Sequence, residues 1–236
     1  DDKILGQKNV KDALSRGLYK TAKGYNNKKP LTVLFYGPTG VGKTETAKFI
    51  AEIIGQELFR KQFSMYQNNS FSDYLFGASH TSSSFAKDLL DRQSNVILLD
   101  EFDKANNLFY SAFYQLFDEG IYSDRNYEVH LENGLIICTS NFLSVAHIKE
   151  VLGEPIYNRF DLVVEFSELS KEISEKIIQN RYATTINILD SSDRKIIDEF
   201  GELERLMEYA QHLKNVRAID KFIDEYIFQT ILNHLE

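Results

Sequence analysis

The sequence predicts an α/β fold in which a parallel sheet carries a phosphate-binding loop and a small α-helical domain follows it. Three observations lead there. Residues 31–36 form a mainly apolar run, Gly37-Pro38-Thr39-Gly40-Val41-Gly42-Lys43-Thr44 follows as a complete G-x-x-x-x-G-K-[ST] loop, and helical spacing opens at once over 44–54. Strand and helix patterns then alternate as far as Phe166. From Ser167 onward the β signal disappears and only helical spacing remains. The expected division is 1–168 for the α/β domain and 169–236 for the helical one.

Taken in order, the first expected element is an amphipathic helix near 10–23, followed by a polar turn through Asn26, Asn27, Lys28, Lys29 and Pro30. The strand at 31–36 comes next. Further strands are expected near 58–65, 95–100, 134–140 and 162–166, with helices between them. Short alternating pieces within 120–131 read as a hairpin inserted before the fourth strand. In the last part, 170–187, 192–200, 202–212 and 216–235 carry helical spacing. No internal repeat is present, and the one low-complexity patch, His80-Thr81-Ser82-Ser83-Ser84, reads as a mobile loop.

The loop carries the chemistry first. Its glycines let successive backbone N–H groups turn inward toward phosphate oxygens, Lys43 adds a positive charge, and Thr44 adds a hydroxyl suited to Mg²⁺. A nucleoside triphosphate is the ligand these features fit. The expected third strand then supplies a place for metal and water, because Val96-Ile97-Leu98-Leu99 runs straight into Asp100-Glu101. Four apolar residues suit a strand buried on both faces, and two carboxylates emerge at its C-terminal edge, where ligands bind in open α/β sheets. Asp100 is the expected Mg²⁺ ligand, directly or through water, and Glu101 the general base for the attacking water. Two acids capping a strand end would be the plain alternative, and the intact loop favours the catalytic reading. Asp103 and Lys104 read as a solvated pair.

Composition narrows the function classes. With 236 residues and 43% hydrophobic content the chain can bury a large core and an appended domain. The net charge of −8 speaks against a surface that generally coats nucleic acid. Cys138 is the sole cysteine and sits in an apolar run, so no internal disulfide is possible and a core role is expected. No apolar segment approaches a membrane span and the N-terminus is polar rather than signal-like, which predicts a cytoplasmic protein. The first residue is Asp1 rather than Met, as in a piece of a longer protein.

Together these motifs resemble the AAA+ ATPases, and within them the Clp-type unfoldase and disaggregase branch. Ile4-Leu5-Gly6-Gln7 is similar to that family's adenine-contact box, and the loop with the helix it opens, through Glu45, has the branch's form GPTGVGKTETA. Asp100-Glu101, followed by Lys104-Ala105, resembles its acidic pair. Thr139-Ser140-Asn141 resembles the sensor 1 position, Tyr157-Asn158-Arg159-Phe160-Asp161 the arginine-finger segment, and Asn215-Val216-Arg217-Ala218 the sensor 2 segment. The resemblance implies a parallel-sheet P-loop AAA+ domain followed by a small α-helical lid, with ATP and Mg²⁺ as cofactors. It implies nucleotide contacts at Ile4, Leu5 and 37–45, and catalytic roles for Glu101, for Asn141 orienting the water, for Arg159 reaching a neighbouring subunit's site, and for Arg217 touching the phosphates from the lid. Plainer roles stand beside these: core packing for Ile4 and Leu5, a strand-end cap for Asn141, a surface salt bridge for Arg159, and a solvated or acid-paired Arg217.

The implied assembly is a homo-oligomer, as a ring in which Arg159 acts in trans, whose partner is a protein substrate or effector, with no membrane and no nucleic acid expected. The favoured function is an ATP-hydrolysing module of a Clp-like protein-remodelling machine. The sequence departs from the branch where substrate is gripped, since the interval after Gly77-Ala78 holds serine and threonine where an aromatic-glycine pore loop is usual. Phe85 has the spacing of a helix core position instead. Family members also usually continue beyond the last helix with a strand that completes the small domain, whereas this chain ends at Glu236. Two alternatives stay open: a nucleotide-dependent switch or assembly scaffold that does not thread polypeptide, and a nucleic-acid motor or loader, which the acidic balance disfavours.

Overall fold

A computed structural model describes residues 7–65, 70–79, 81–105, 107–209 and 212–235. The expected adenine contacts Ile4 and Leu5 lie outside the described residues, as does His80. The chain divides into two compact units, one formed by Gln7–Pro38 with Lys43–Phe166 and the other by Ser167–Glu236 with Thr39–Gly42.

In the first unit the described elements are α1 (Lys8–Ala22), β1 (Leu31–Tyr36), α2 (Lys43–Ile54), β2 (Phe59–Gln62), α3 (Ser70–Phe76), α4 (Phe85–Leu90) and β3 (Val96–Asp100). They continue with α5 (Tyr114–Glu119), β4 (Ile121–Ser123), β5 (Glu128–His130), β6 (Leu135–Thr139), α6 (Val145–Leu152), α7 (Glu154–Tyr157) and β7 (Leu162–Glu165). Five strands form a sheet in the order β2-β3-β6-β1-β7, and every neighbouring pair is parallel. Each residue of β1, β3 and β6 is buried, as both faces of a parallel sheet must be when helices cover them. The parallel α/β expectation therefore holds, and so does the inserted hairpin, since β4 and β5 pair antiparallel. All five C-terminal strand ends lie along one edge, and the loops after β1, β3 and β6 leave the sheet there together.

Two expectations about the segments around β2 and α4 need correction. β2 stops at Gln62 rather than running on to Met65, because Phe63 turns inward through a 3₁₀ turn and buries its ring against Phe71, Phe102 and Phe113 at centroid distances of 5.4–5.6 Å. Ser84 is not part of a solvated loop. It is buried, and its hydroxyl accepts from Lys87 N as the N-cap of α4. Phe85 then enters the core at the first position of that helix, 4.8 Å from the Tyr122 ring and 5.7 Å from Phe113. Phe63, Phe71, Tyr74, Phe85, Phe102, Tyr110, Phe113, Phe117 and Tyr122 all belong to this one core cluster, with many ring pairs set edge-to-face or tilted.

The second unit is helical: α8 (Lys171–Ile188), α9 (Ser191–Phe200), α10 (Leu203–Glu208) and α11 (Val216–Asn233). Ile219, Ile223, Ile227 and Ile231 recur every fourth residue on α11 and bury one stripe against Ile178, Ile197 and Leu206. Ser170, Asp190 and Asn215 cap the starts of α8, α9 and α11 through their side-chain oxygens. The helix expected over 202–212 is shorter, ending at Glu208.

Phe85→Ala is expected to cost about 3–5 kcal/mol, the range for removing a fully buried ring. Urea denaturation checks it, and a loss below about 0.5 kcal/mol would place Phe85 on the surface instead.

Candidate functional site

The phosphate loop begins where β1 meets β7. Phe166 N donates to Tyr36 O at 2.8 Å, and this brings the next carbonyl so close that a Cβ on Gly37 would sit 2.1 Å from Phe166 O. With φ at +134° as well, position 37 admits only glycine. The chain then curls back so that Lys43 opens α2 with its side chain almost wholly enclosed, the residue being 8% exposed. Its ammonium donates to Gly37 O at 2.7 Å, to Pro38 O at 2.6 Å, and to Asn141 Oδ1 at 3.2 Å. The lysine of the loop and the amide at the end of β6 are 98 residues apart in sequence, and parallel pairing of β1 with β6 unites them.

The acidic pair sits beside them. Asp100 is 4% exposed, so its carboxylate requires compensation, and three elements supply it. Thr44 Oγ1 of α2 donates to Oδ1 at 3.2 Å, and Thr139 Oγ1 of β6 donates to the same oxygen at 2.5 Å. Arg60 of β2 donates from Nε at 3.0 Å and Nη2 at 2.5 Å to Oδ2. Glu101 turns out of the strand in a left-handed conformation, φ 55°, its N–H donating to Thr139 Oγ1 at 2.9 Å and its Oε2 accepting from Gln62 Nε2 at 3.2 Å. Among the described residues no three His, Cys, Asp or Glu side chains cluster as a ready-made metal cage. The Thr44 hydroxyl and the Asp100 carboxylate form a sparse, hard-oxygen donor set, which fits Mg²⁺ because that ion keeps waters and phosphate oxygens as its remaining ligands.

Arg60 and Gln62 are site residues that the sequence reading missed, and Thr139, named there only within the sensor 1 segment, takes a role it did not foresee. Register explains them. β2 pairs with β3 so that Gln62 lies opposite Asp100 and Arg60 opposite Leu98, and residues two apart on a strand share a face. Locally, Arg60-Lys61-Gln62 is an unbroken polar run, so nothing in it tells one strand face from the other.

Of the other expected residues, Glu45 is exposed on α2 and pairs with Lys48 at 2.7 Å. Arg159 binds within its own unit, to Asp118 and Pro155, over the ring of Tyr114. Arg217 is exposed in the first turn of α11. In the second unit, Val216 N donates to Gly40 O at 2.8 Å, and the Asn215 side chain that caps α11 lies where a Cβ on Gly40 would meet it at 3.0 Å. Asp103 and Lys104 do pair, at 2.9 Å, with Lys104 solvated as expected and its side chain 45% exposed, but the Asp103 side chain is only 5% exposed because the fully buried Phe102 draws the turn inward. Cys138 is buried in β6, and desolvation pushes its thiol well above the usual range, so it is an inert core residue.

Arg60→Gln removes the fork that holds buried Asp100 and is expected to cost about 1–3 kcal/mol of stability. A double-mutant cycle with Asp100→Asn, read by urea denaturation, should show strong coupling, and purely additive losses would mean that the pair does not interact energetically.

Comparison with known proteins follows the same residues. A family model described as AAA domain (Cdc48 subfamily) matches residues 28–200, more than half of the 236-residue chain. The ATP-dependent Clp protease ATP-binding subunit ClpL of Staphylococcus aureus strain bovine RF122 / ET3-1 is 26% identical over 268 residues, which covers 99% of this chain and 38% of that protein. ClpL of strain USA300 matches to the same extent. The chain thus spans 38% of the length of the curated relatives it matches. A closed-state cryo-EM reconstruction of Hsp104 with ATPγS and FITC casein shares the fold at a TM-score of 0.79 and 20% identity, over 97% of this chain and 45% of the Hsp104 chain. Among the described residues no helix is long and apolar enough to cross a membrane. A family model that takes in the loop, the acidic strand end and the Arg159 turn places the chain in the AAA domain family (Cdc48 subfamily), as a Clp-type AAA+ ATPase module.

Proposed function

We propose that this chain is an ATP-hydrolysing, Mg²⁺-dependent module of a Clp-like protein-remodelling machine. One observation carries the reading: the C-terminal edge of the sheet gathers a buried lysine, a hydroxyl–carboxylate pair and a glutamate held by Gln62 around one phosphate-binding loop. In this reading Lys43 and the loop 37–45 hold the ATP phosphates, with Ile4 and Leu5 at the adenine. Thr44 and Asp100 hold Mg²⁺, which neutralises charge on the phosphates. Glu101 takes the proton of the attacking water and Asn141 orients that water. Arg217 belongs to the helical lid, 169–236, and reports phosphate occupancy to it, while Arg159 completes a neighbouring subunit's site in a homo-oligomeric ring. The names of ClpL as an ATP-binding subunit of an ATP-dependent protease, and of Hsp104 imaged with casein, support a protein substrate.

A second reading, a nucleotide-driven scaffold that does not thread polypeptide, is favoured by the segment before α4. There the hydroxyls of Ser79, Thr81 and Ser82 bond to one another at 2.8–3.1 Å, and Ser84 is committed to capping. Among the described residues of 79–85 the one aromatic ring, Phe85, is buried in the core. ATPase stimulation by unfolded casein, absent with DNA, would support the first reading, and no stimulation by either would support the scaffold.

Lys43→Ala is expected to abolish tight nucleotide binding, whereas Glu101→Gln keeps it and loses turnover by on the order of 10²-fold or more. Titration with a fluorescent ATP analogue and phosphate-release assays check the pair. Equal affinity in the wild type and the lysine variant would sink the assignment.

A further inference from the structure

Arg159 is not a loose surface side chain. Its guanidinium donates from Nε to Asp118 Oδ2 at 2.8 Å and from Nη1 to Pro155 O at 2.6 Å, and its Cζ lies 4.0 Å from the centroid of the Tyr114 ring. Tyr114 and Asp118 are four residues apart, so they stand on one face of α5 and clasp the guanidinium from its flat side and from its edge. The base of the side chain is fixed as well. Thr32 Oγ1 bonds Arg159 O at 2.7 Å, and the next residue, Phe160, packs on Phe117 of α5 at 5.4 Å.

Only two of the five guanidinium N–H groups are used in this mount, since Nε and Nη1 each donate once. The remainder stay available to another acceptor. The mount also freezes a side chain that otherwise carries about 2 kcal/mol of rotamer entropy, a cost that a free arginine would meet each time it engaged a phosphate. Asp118 retains the charge and aims it without consuming it, because an arginine stays protonated beside a carboxylate.

We infer that Asp118 and Tyr114 are positioning residues that pre-orient Arg159 for donation to an anionic phosphate on an adjacent subunit. This rests on the reading of Arg159 as acting in trans. The residues supply no group to the reaction. They lie on the donating subunit, so they matter to the neighbour's turnover and not to the turnover at their own loop.

That asymmetry gives the test. In the full-length protein, Glu101→Gln subunits keep the finger but not the base, and Arg159→Ala subunits keep the pocket but not the finger. A mixture of the two should recover ATPase activity over either alone. Adding Asp118→Asn or Tyr114→Leu to the Glu101→Gln subunits should cut that recovery at least tenfold, while adding either to the Arg159→Ala subunits should leave it within twofold. Tyr114→Phe, which keeps the ring face, should behave as the parent in both placements. Loss of recovery in both placements would mean a general structural role, and no loss in either would mean that the mount is irrelevant; both overturn the inference while leaving the trans reading intact. Absence of recovery in the parent mixture would overturn the trans reading and the inference with it.

Discussion

A carboxylate almost closed off from water at the end of β3 fixes the geometry of this edge of the sheet. Asp100 must either lose its charge or be surrounded by donors, and the fold surrounds it: Thr44 from α2, Thr139 from β6 and Arg60 from β2 converge on its two oxygens. Each donor sits on a different element, so meeting the demand of one side chain sets three spatial relations at once. The start of α2 is held against β3, β2 keeps the register that places Arg60 beside it, and the strand end carrying Asn141 is drawn alongside. An apolar residue at position 100 would release all three. The charge therefore contributes order more than net stability, because desolvating it offsets much of what its hydrogen bonds return.

Strain accumulates next to this anchor. Glu101 occupies the left-handed region at φ 55°, where a residue with a Cβ costs of order 1–2 kcal/mol. Two features sustain it. Thr139 Oγ1 accepts the Glu101 N–H while donating to Asp100, and Phe102 immediately afterwards is locked in the aromatic core. The outcome is a carboxylate lifted away from the strand axis, tethered by Gln62 through one hydrogen bond from a neutral amide. A bond to a charged acceptor is worth about 1.5–3 kcal/mol, so this single contact steers Glu101 toward the place where it must meet a water molecule.

What the sequence disclosed depended on how local each signal was. The loop 37–44 is contiguous and its residue types answer one chemical need, so its ligand class was legible from the motif. β1, β3 and β6 were legible because a strand buried on both faces is written as an unbroken apolar run. Arg60, Gln62 and Thr139 were not, since their roles arise from pairing between strands 38–40 residues apart, and no local pattern encodes register. The end of β2 was misplaced for a related reason. Phe63 satisfies an extended or a turned backbone equally well, and the cluster with Phe71, Phe102 and Phe113 decides between them. Asp103 reads as a surface acid for want of any sign that Phe102 pulls its turn inward.

The helical unit and the segment before α4 show one economy in two places. The Asn215 side chain both caps α11 at Ala218 N and lies against Gly40. Its bulk fits because position 40 is a glycine, and the helix start is satisfied by it. Ser84 likewise caps α4, and the aromatic residue that follows is spent on the core, where Phe85 meets Tyr74, Phe113 and Tyr122. A ring buried on all sides cannot also wedge against a polypeptide. On the proposed reading, any pull that this module exerts draws little on Ser79, Thr81, Ser82, Ser84 and Phe85, since the first three hydroxyls bond to one another, Ser84 caps the helix, and the Phe85 ring is held in the core.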